Sequence, residues 1–267
     1  MTRSTAIDAE RAARARVRQL EYMRRFAEEW RGRDAEMAAS MAEKARSVRA
    51  RINAIRPVRP SDRVLEVGSG GCGIIFNFGT EDCLGIDPLA DDLRQLFPWQ
   101  RTSPVPTLQA EGEKLPFDDA SFEIVLSDNV VDHAEDPRRI VEEITRVLAP
   151  GGLFYFTAHV HHPLYHVTSV AYGLWRRTGL PGEITPFADH TVHLTPASAR
   201  RLLASLPLRV VEETTDLEAA RMEAEETPPR HLGDRLKRLF FKNATWEVFA
   251  LRDPDCASGL LGVAAHR

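Results

Sequence analysis

The residues that could do chemistry begin with a glycine-dense turn that follows an apolar stretch. Residues 64–73 read Val-Leu-Glu-Val-Gly-Ser-Gly-Gly-Cys-Gly, and Asp87 ends a second apolar stretch fourteen residues after Gly73. Glycine lets a ligand approach the backbone closely, because it has no Cβ and tolerates positive φ. A carboxylate that ends the next strand can accept both hydroxyl hydrogens of a ribose. The pattern therefore predicts a nucleoside-binding site.

A dinucleotide is not the ligand that this turn favours. Dinucleotide-binding enzymes place G-x-G-x-x-G at the start of a long helix, whose N-terminus holds the pyrophosphate. Here only a short apolar stretch, residues 74–78, follows the glycines. The glycine run alone is a weak indicator, so the rest of the chain must decide which nucleoside binds.

Three later segments give the turn its context, namely residues 111–117, 121–137 and 143–156. In this order and spacing they resemble class I S-adenosylmethionine-dependent methyltransferases, most closely the bacterial small-molecule group, over about residues 60–160. The resemblance implies methyl transfer as the activity. It also implies S-adenosyl-L-methionine as the cofactor, with S-adenosyl-L-homocysteine as the product.

The resemblance assigns cofactor contacts to individual positions. The turn would meet the methionine and ribose parts, Asp87 would hold the ribose diol, and Pro88 would flank the adenine. Glu111 and Gly112 would read the adenine edge, although the family often has aspartate at the place of Glu111. Ser127 would face the methionine end. The full set is Glu66, Gly68, Ser69, Gly70, Asp87, Pro88, Glu111, Gly112 and Ser127.

Apolar stretches alternate with helical patterns through the middle of the chain. Strands are predicted at 63–67, 83–87, 106–110, 123–127 and 152–158, with helical segments at 74–78, 89–96 and 137–148. Such alternation predicts a parallel sheet with helices on both faces. Thr195 before Pro196 predicts a helix start, and residues 208–213 and 245–251 are predicted as a final antiparallel pair, as in the family. The fold class is α/β: a Rossmann-like, seven-stranded, mostly parallel sheet with N-terminal helices and two lid insertions.

Two amphipathic helices are predicted ahead of the first strand. Gly32 ends the first, Asp34 is predicted to cap the second, and Pro57 and Pro60 follow its end. Their apolar faces consist of Leu20, Met23, Phe26, Ala27 and Trp30 in the first and Met37, Met41, Val48, Ile52 and Ile55 in the second. We therefore divide the chain into a helical lid or arm, residues 1–58, and a methyltransferase-like domain, residues 59–267.

Two long segments interrupt the domain, at about residues 159–194 and 214–242. Long segments between strands of a compact domain are usually lids or binding loops. Together with the N-terminal helices, we expect them to form the chamber for a small-molecule acceptor. The alternatives are that they only thicken the scaffold or that they form the interface of a homodimer.

Histidines after the predicted strands are the candidates for proton transfer. Methyl transfer from a sulfonium needs an in-line arrangement in a water-poor pocket, and a hydroxyl acceptor also benefits from a base. Imidazole, with a pKa of about 6.5, suits that role, so the histidines favour an oxygen acceptor over nitrogen. Hydrogen bonds within loops or metal binding are the other open roles; we predict no metal site. The candidate catalytic residues are His133, His159, His161 and His162, with His166, His190 and His193 in the same insertion.

Charge is unevenly spread along the 267 residues. Residues 1–60 hold 15 Lys and Arg against 8 Asp and Glu, or +7, so the total of −4 leaves −11 for the remainder. A basic arm could contact RNA, and a tRNA or other macromolecule methyltransferase is therefore the alternative function. A solvated helix face more commonly explains such a run, and we do not expect a nucleic acid partner. A non-catalytic cofactor-binding subunit is a further alternative.

The remaining composition points to a cytoplasmic protein. No stretch approaches the roughly 18 apolar residues of a membrane span, and the N-terminus lacks the apolar region of a secretory signal. Three cysteines, Cys72, Cys83 and Cys256, show no disulfide or zinc-like spacing. We expect no membrane partner.

Overall fold

Apolar runs that end in glycine or a carboxylate form the strands, and the amphipathic segments between them form the helices. The structure is a computed structural model, and it describes residues 3–131, 134, 136–161, 194–226 and 244–254. The helices are α1 (Arg3–Glu29), α2 (Asp34–Ile55), α3 (Ala90–Leu96), α4 (Pro137–Val147), α5 (Pro196–Ala204) and α6 (Leu217–Glu226). The strands are β1 (Arg63–Val67), β2 (Asp82–Asp87), β3 (Thr107–Gln109), β4 (Phe122–Asp128), β5 (Leu148–Val160), β6 (Leu208–Thr215) and β7 (Ala244–Arg252).

The strands form one seven-stranded sheet in the order β3-β2-β1-β4-β5-β7-β6. Strands β1 to β5 pair in parallel, and β7 runs antiparallel to both β5 and β6. The chain moves outward from β1 through β2 to β3 and then returns to the other side of β1 as β4. Such a reversal opens a crevice beyond the carboxyl ends of the strands. The predicted α/β fold, with its final antiparallel pair, is confirmed.

Helix α2 belongs to the core rather than to a detachable arm. Its residues Ala45, Val48 and Ile52 are buried, and they pack on one face of the sheet in a cluster that includes Val64 and Ile124. The opposite face is covered by α4 and α5. Helix α1 instead packs its predicted apolar face against α3 and the start of α2, in a separate cluster that contains Met37, Met41, Leu89, Leu93 and Phe97.

Several predicted element boundaries need correction. Asp34 is the first residue of α2 and not its cap, since Arg33 occupies the cap position without a side-chain hydrogen bond. The helical segment at 74–78 is a 3₁₀ turn, Ile74–Asn77. Strand β5 begins at Leu148, because a register shift in β4 lets Phe122 pair with Leu148.

Both predicted insertions begin later in the chain than expected, because the strands before them are longer. The first was placed from residue 159, but β5 continues to Val160, which also bridges to Leu194. The second was placed from residue 214, but β6 runs to Thr215 because its last residues pair with β7, and α6 follows. Thr195 caps α5 as predicted: its hydroxyl accepts from the Ser198 N–H, and the Ser198 hydroxyl accepts from the Thr195 N–H. Within the described ranges no helix has the length and apolar character of a membrane span.

Candidate functional site

One cavity of about 910 Å³ lies at the carboxyl ends of the parallel strands, under α1. Its volume is near the upper end of the roughly 300–1,000 Å³ typical of ligand sites. Eight of the nine predicted cofactor residues line it. They are Glu66, Gly68, Ser69, Gly70, Asp87, Pro88, Glu111 and Gly112. The structure thus brings together three segments that are separate in sequence.

The glycine turn presents bare backbone to this cavity. The N–H groups of Gly68 and Ser69 donate to the Ile86 carbonyl at 2.8 and 2.9 Å, which ties the turn to the end of β2. Gly68 has φ +75°, and a Cβ there would lie 2.3 Å from a Val130 methyl carbon. At Gly70, φ is +57° and a Cβ would meet nothing nearer than Met23 of α1, at 4.0 Å. A ligand can therefore lie directly against the backbone.

Asp87 is fixed in place by the backbone on both sides. Its Oδ2 accepts from the Gly70 N–H at 3.0 Å, and its Oδ1 accepts from the Leu89 N–H at 2.8 Å. Burial raises the pKa of this carboxyl above its ordinary value, and the two backbone hydrogen bonds oppose that change. A carboxylate offers about four acceptor sites. Two are occupied, so two remain for the hydroxyl groups of a ribose.

Gln100, which sequence patterns did not single out, braces the glycine turn from behind. It is buried in a second 3₁₀ turn, Pro98–Arg101, and its Nε2 donates to the carbonyls of Gly70 and Gly71, both at 3.1 Å. These bonds satisfy two carbonyls that the turn leaves without strand partners. They also hold the Gly70 N–H in position for Asp87.

Glu66 is buried beneath the turn, and its carboxylate accepts hydrogen bonds from the backbone of the segment that follows. Its Oε1 accepts from the Ile74 N–H at 3.2 Å and its Oε2 from the Ile75 N–H at 2.8 Å. Burial is the main reason that the pKa of this carboxyl rises to about 8. The negative charge of Asp128 raises the pKa further, whereas the two hydrogen bonds and the Lys44 ammonium group lower it.

Helix α1 crosses the end of the cavity where Glu111 and Gly112 lie. Arg16 forms an ion pair with Glu111, with 2.7 Å between its Nη2 and the Glu111 Oε1. Gly112 is packed so closely that a Cβ would lie 3.1 Å from Ile140 and 3.2 Å from Val67. Glu111 and Gly112 both line the cavity, and their reading of an adenine edge stays a prediction.

A polar cluster occupies the other end of the cavity, beyond β4 and β5. Lys44 of α2 forms an ion pair with Oδ2 of Asp128, and the Thr157 hydroxyl donates to Oδ1 of Asp128 at 2.8 Å. Asn129 follows with φ +62°, and its Nδ2 lies 2.8 Å from Nε2 of His159. All five residues line the cavity. Positive φ at a non-glycine residue is a sparsely populated conformation that clusters at functional sites.

This cluster was largely missed by the sequence analysis. Lys44, Asp128 and Thr157 are far apart in the chain and share no local motif. A usable signal did exist for Asp128, since it ends an apolar strand in the same way as Asp87. Ser127 was chosen there instead, and this assignment needs correction. Ser127 is fully buried and does not line the cavity, because successive side chains of a strand point to opposite faces.

Of the predicted histidines, His159 lines the cavity. His161 is buried outside it, and its backbone N–H donates to the Leu194 carbonyl at 2.7 Å. His133 and His162 lie outside the described residues, as do His166, His190 and His193. Among the residues that are described, no group of three or more His, Cys, Asp or Glu side chains could hold a metal ion.

Comparison with known proteins gives matches in the central part of the chain. A family model described as a methyltransferase domain matches residues 65–156. An uncharacterized methyltransferase of Mycolicibacterium gilvum is 38% identical over 93 residues, which are 34% of this chain and 36% of the relative. The uncharacterized methyltransferase YcgJ of Bacillus subtilis is 29% identical over 106 residues, 38% of this chain and 42% of YcgJ. The chain thus spans less than half the length of these curated relatives.

Solved structures resemble a larger part of the chain. The crystal structure of YcgJ has a TM-score of 0.54 at 18% identity and covers 77% of this chain and 97% of its own. A geranyl diphosphate C-methyltransferase from Streptomyces coelicolor, solved with Mg²⁺, geranyl diphosphate and S-adenosyl-L-homocysteine, has a TM-score of 0.54 at 15% identity. It covers 80% of this chain and 79% of its own. At these identities the likeness concerns the fold alone.

Proposed function

We propose that this chain transfers a methyl group from S-adenosyl-L-methionine to a small-molecule acceptor, and the match of a methyltransferase-domain family model to residues 65–156 supports this. The observation that carries the proposal is the arrangement of Asp87 and the glycine turn. A carboxylate with two remaining acceptor sites stands beside bare backbone in a cavity that has room for more than one ligand. That combination suits a ribose diol next to a second, reacting molecule.

The chain's own contribution to the reaction is positioning. When bound, the cofactor supplies an electrophilic methyl group on a sulfonium. The residues around it must hold the acceptor in line with that methyl group and exclude water. Helix α1 covers the cavity with Tyr22, Met23 and Phe26, while β4 and β5 provide its polar end. These surfaces support an acceptor chamber between α1 and the sheet.

We favour an oxygen acceptor, with His159 as the group that receives its proton. His159 is the predicted catalytic histidine that lines the cavity among the described residues, and it stands beside Asn129 and Thr157 at the polar end. A neutral imidazole can take a proton from a hydroxyl at neutral pH. A nitrogen acceptor would need no base before transfer, so the presence of His159 gives the preference for oxygen its physical basis.

A macromolecular acceptor is less well supported by the basic N-terminal region. Three of its cations pair within the chain: Arg51 pairs with Glu212 and Glu247, and Arg56 pairs with Asp62. Lys44 pairs with Asp128 inside the cavity. These three cations are therefore neutralised by carboxylates and do not contribute to the free basic surface that an RNA backbone would need.

The test of the cofactor assignment is the substitution Asp87→Ala. It removes two charge-assisted hydrogen bonds to a ribose, each worth roughly 1.5–3 kcal/mol. We expect the affinity for S-adenosyl-L-homocysteine in calorimetry to fall at least about tenfold. Asp91→Ala is the matched control, because Asp91 is an exposed carboxylate on the neighbouring α3. Unchanged affinity in a folded Asp87→Ala protein would contradict the assignment.

A further inference from the structure

The two edges of the sheet end in different ways. On one side the last strand is β3, with three residues, and Arg94 of α3 donates to the Thr107 carbonyl there at 2.9 Å. On the other side the last described strand is β6, with eight residues, six of which are exposed. A long exposed edge presents unpaired backbone N–H and C=O groups to which another strand can bind. The β6 edge is therefore the place where this sheet can be extended.

The middle of β6 exposes two apolar side chains. Val210 and Val211 are each 42% exposed. The register of β6 with β7 shifts between Val210 and Glu212, so Val211 is the extra residue of a β-bulge. β-branched side chains pack well against the side chains of a neighbouring strand. A second strand along this edge would therefore remove both valines from water.

Charges of opposite sign flank the two valines on one face of the sheet. Arg209 pairs with Leu251 in the β6–β7 register and Glu212 pairs with Phe249. Both partners belong to the cluster beneath α2, and residues directly opposite each other share a face, so Arg209 and Glu212 lie on the α2 face. Arg209 has no ion-pair partner in the part of the chain that the structure describes. Glu212 contacts Arg51 through Oε1 alone, which leaves its Oε2 for a second cation.

We propose that β6 pairs in antiparallel orientation with β6 of a second copy of this chain, so that the sheet continues from one copy into the other. The register that matches the charges places Arg209 of one copy opposite Glu212 of the other, and Val210 opposite Val211. Two-fold symmetry repeats each contact, so two ion pairs flank an apolar centre. The strand is thus its own complement in charge and in polarity.

Such a pairing closes on itself. The dimer covers the β6 edge of both copies, and the remaining edge of each copy is the short strand β3. The bulge at Val211 bends the edge, which confines the pairing to the residues around the valines. The inference does not depend on the proposed function, because β6 does not line the cavity.

Sedimentation equilibrium of the full chain measures the association. We expect the wild-type protein to form a dimer and Arg209→Glu to weaken it at least about tenfold, because two attractions become repulsions between carboxylates. Arg201→Glu is the matched control, since it makes the same change in net charge at an exposed position of α5. Val211→Lys should also weaken the dimer, whereas Met222→Lys, at a 56% exposed apolar residue of α6, should not.

A mixture of two variants tests the register itself. Glu212→Lys alone should weaken the dimer, because it places two cations opposite each other, while Arg51 keeps its contact with Glu247. An equimolar mixture of the Arg209→Glu and Glu212→Lys proteins should recover the dimer, since every facing pair then has opposite signs. A general loss of stability could not produce that recovery.

Three results would overturn the proposal. They are a monomeric wild-type protein, a dimer that is equally tight in Arg209→Glu and Arg201→Glu, and a mixture of folded variants that stays monomeric. Circular dichroism establishes that each variant folds. Should Glu212→Lys not fold, the comparison of Val211→Lys with Met222→Lys decides, and equal association of those two proteins would place the interface elsewhere.

Discussion

Asn129 is a hydrogen-bond partner of His159 at the polar end of the cavity. Asn129 is held at φ +62°, and its Nδ2 faces the His159 Nε2 at 2.8 Å. In this arrangement the Asn129 amide occupies the Nε2 side of the ring. An acceptor hydroxyl that uses Nε2 as its base must therefore take the place of the Asn129 amide.

Replacing His159 by Asn should separate proton transfer from cofactor binding. With an acceptor identified by transfer of labelled methyl groups, we expect turnover of His159→Asn to fall by about 10²–10⁴, with unchanged affinity for S-adenosyl-L-homocysteine. His161→Asn is the control, because His161 is buried outside the cavity. Its substitution should lower the melting temperature more than the turnover per folded molecule. Equal turnover losses in the two variants would remove His159 from the base role.

At the scale of elements, the glycine turn works because a separate 3₁₀ turn supports it. Gln100 supplies two N–H donors to the Gly70 and Gly71 carbonyls, and Asp87 receives the Gly70 N–H on the other side. A glycine-rich segment loses much conformational freedom when it is fixed. Hydrogen bonds from both sides offset that cost before a ligand binds.

The substitution Gln100→Glu tests this support. It keeps the size of the side chain but replaces the donor by a group that repels both carbonyls, and buried unsatisfied acceptors cost about 1–3 kcal/mol. We expect cofactor affinity in calorimetry to fall roughly tenfold, with a melting temperature only a few degrees lower. Gln95→Glu, at an exposed position of α3, is the control. If Gln100→Glu bound the cofactor with wild-type affinity, the hydrogen bonds from Gln100 would not be needed to hold the turn.

Elements and site residues differed in how far the sequence could predict them. Strands β1, β2 and β4 were predicted nearly to their ends, because each is a short apolar run with a local stop signal. The start of β5 was not predicted correctly, because it depends on a register shift between β4 and β5. The glycine turn and Asp87 lie close to those stop signals. Lys44 and Thr157 meet Asp128 only after α2 and β5 have packed, so no local pattern marks them.

Across the whole molecule, the unevenly distributed charges of the sequence form ion pairs within the fold. The positive N-terminal region and the negative remainder meet through ion pairs at separate places on the fold. These include Arg16 with Glu111, Lys44 with Asp128 and Arg51 with Glu247. Exposed pairs contribute little each. The pairs of Arg16 and Lys44 lie at the cavity, whereas Arg51 and Glu247 join α2 to β7 outside its lining.

Removing α1 alone tests whether this helix forms the acceptor chamber. A chain that begins at residue 32 keeps α2, whose residues Ala45, Val48 and Ile52 are buried in the core and cannot be spared. It loses the contacts of α1 with Leu89, Leu93 and Phe97, so we expect a folded protein with a lower melting temperature. Cofactor affinity should change by only a few fold, because Asp87 and the glycine turn remain.

Turnover of this truncated protein should fall by at least about a hundredfold, because the acceptor would lose the wall that excludes water and fixes its orientation. Calorimetry with S-adenosyl-L-homocysteine and transfer of labelled methyl groups measure the two effects separately. Arg31→Ala in the full chain is a suitable control, since Arg31 lies just beyond α1, is exposed and does not line the cavity. A truncated protein with normal kcat/KM would show that α1 is an accessory to the fold, and the acceptor would then have to be held by the sheet side of the cavity alone.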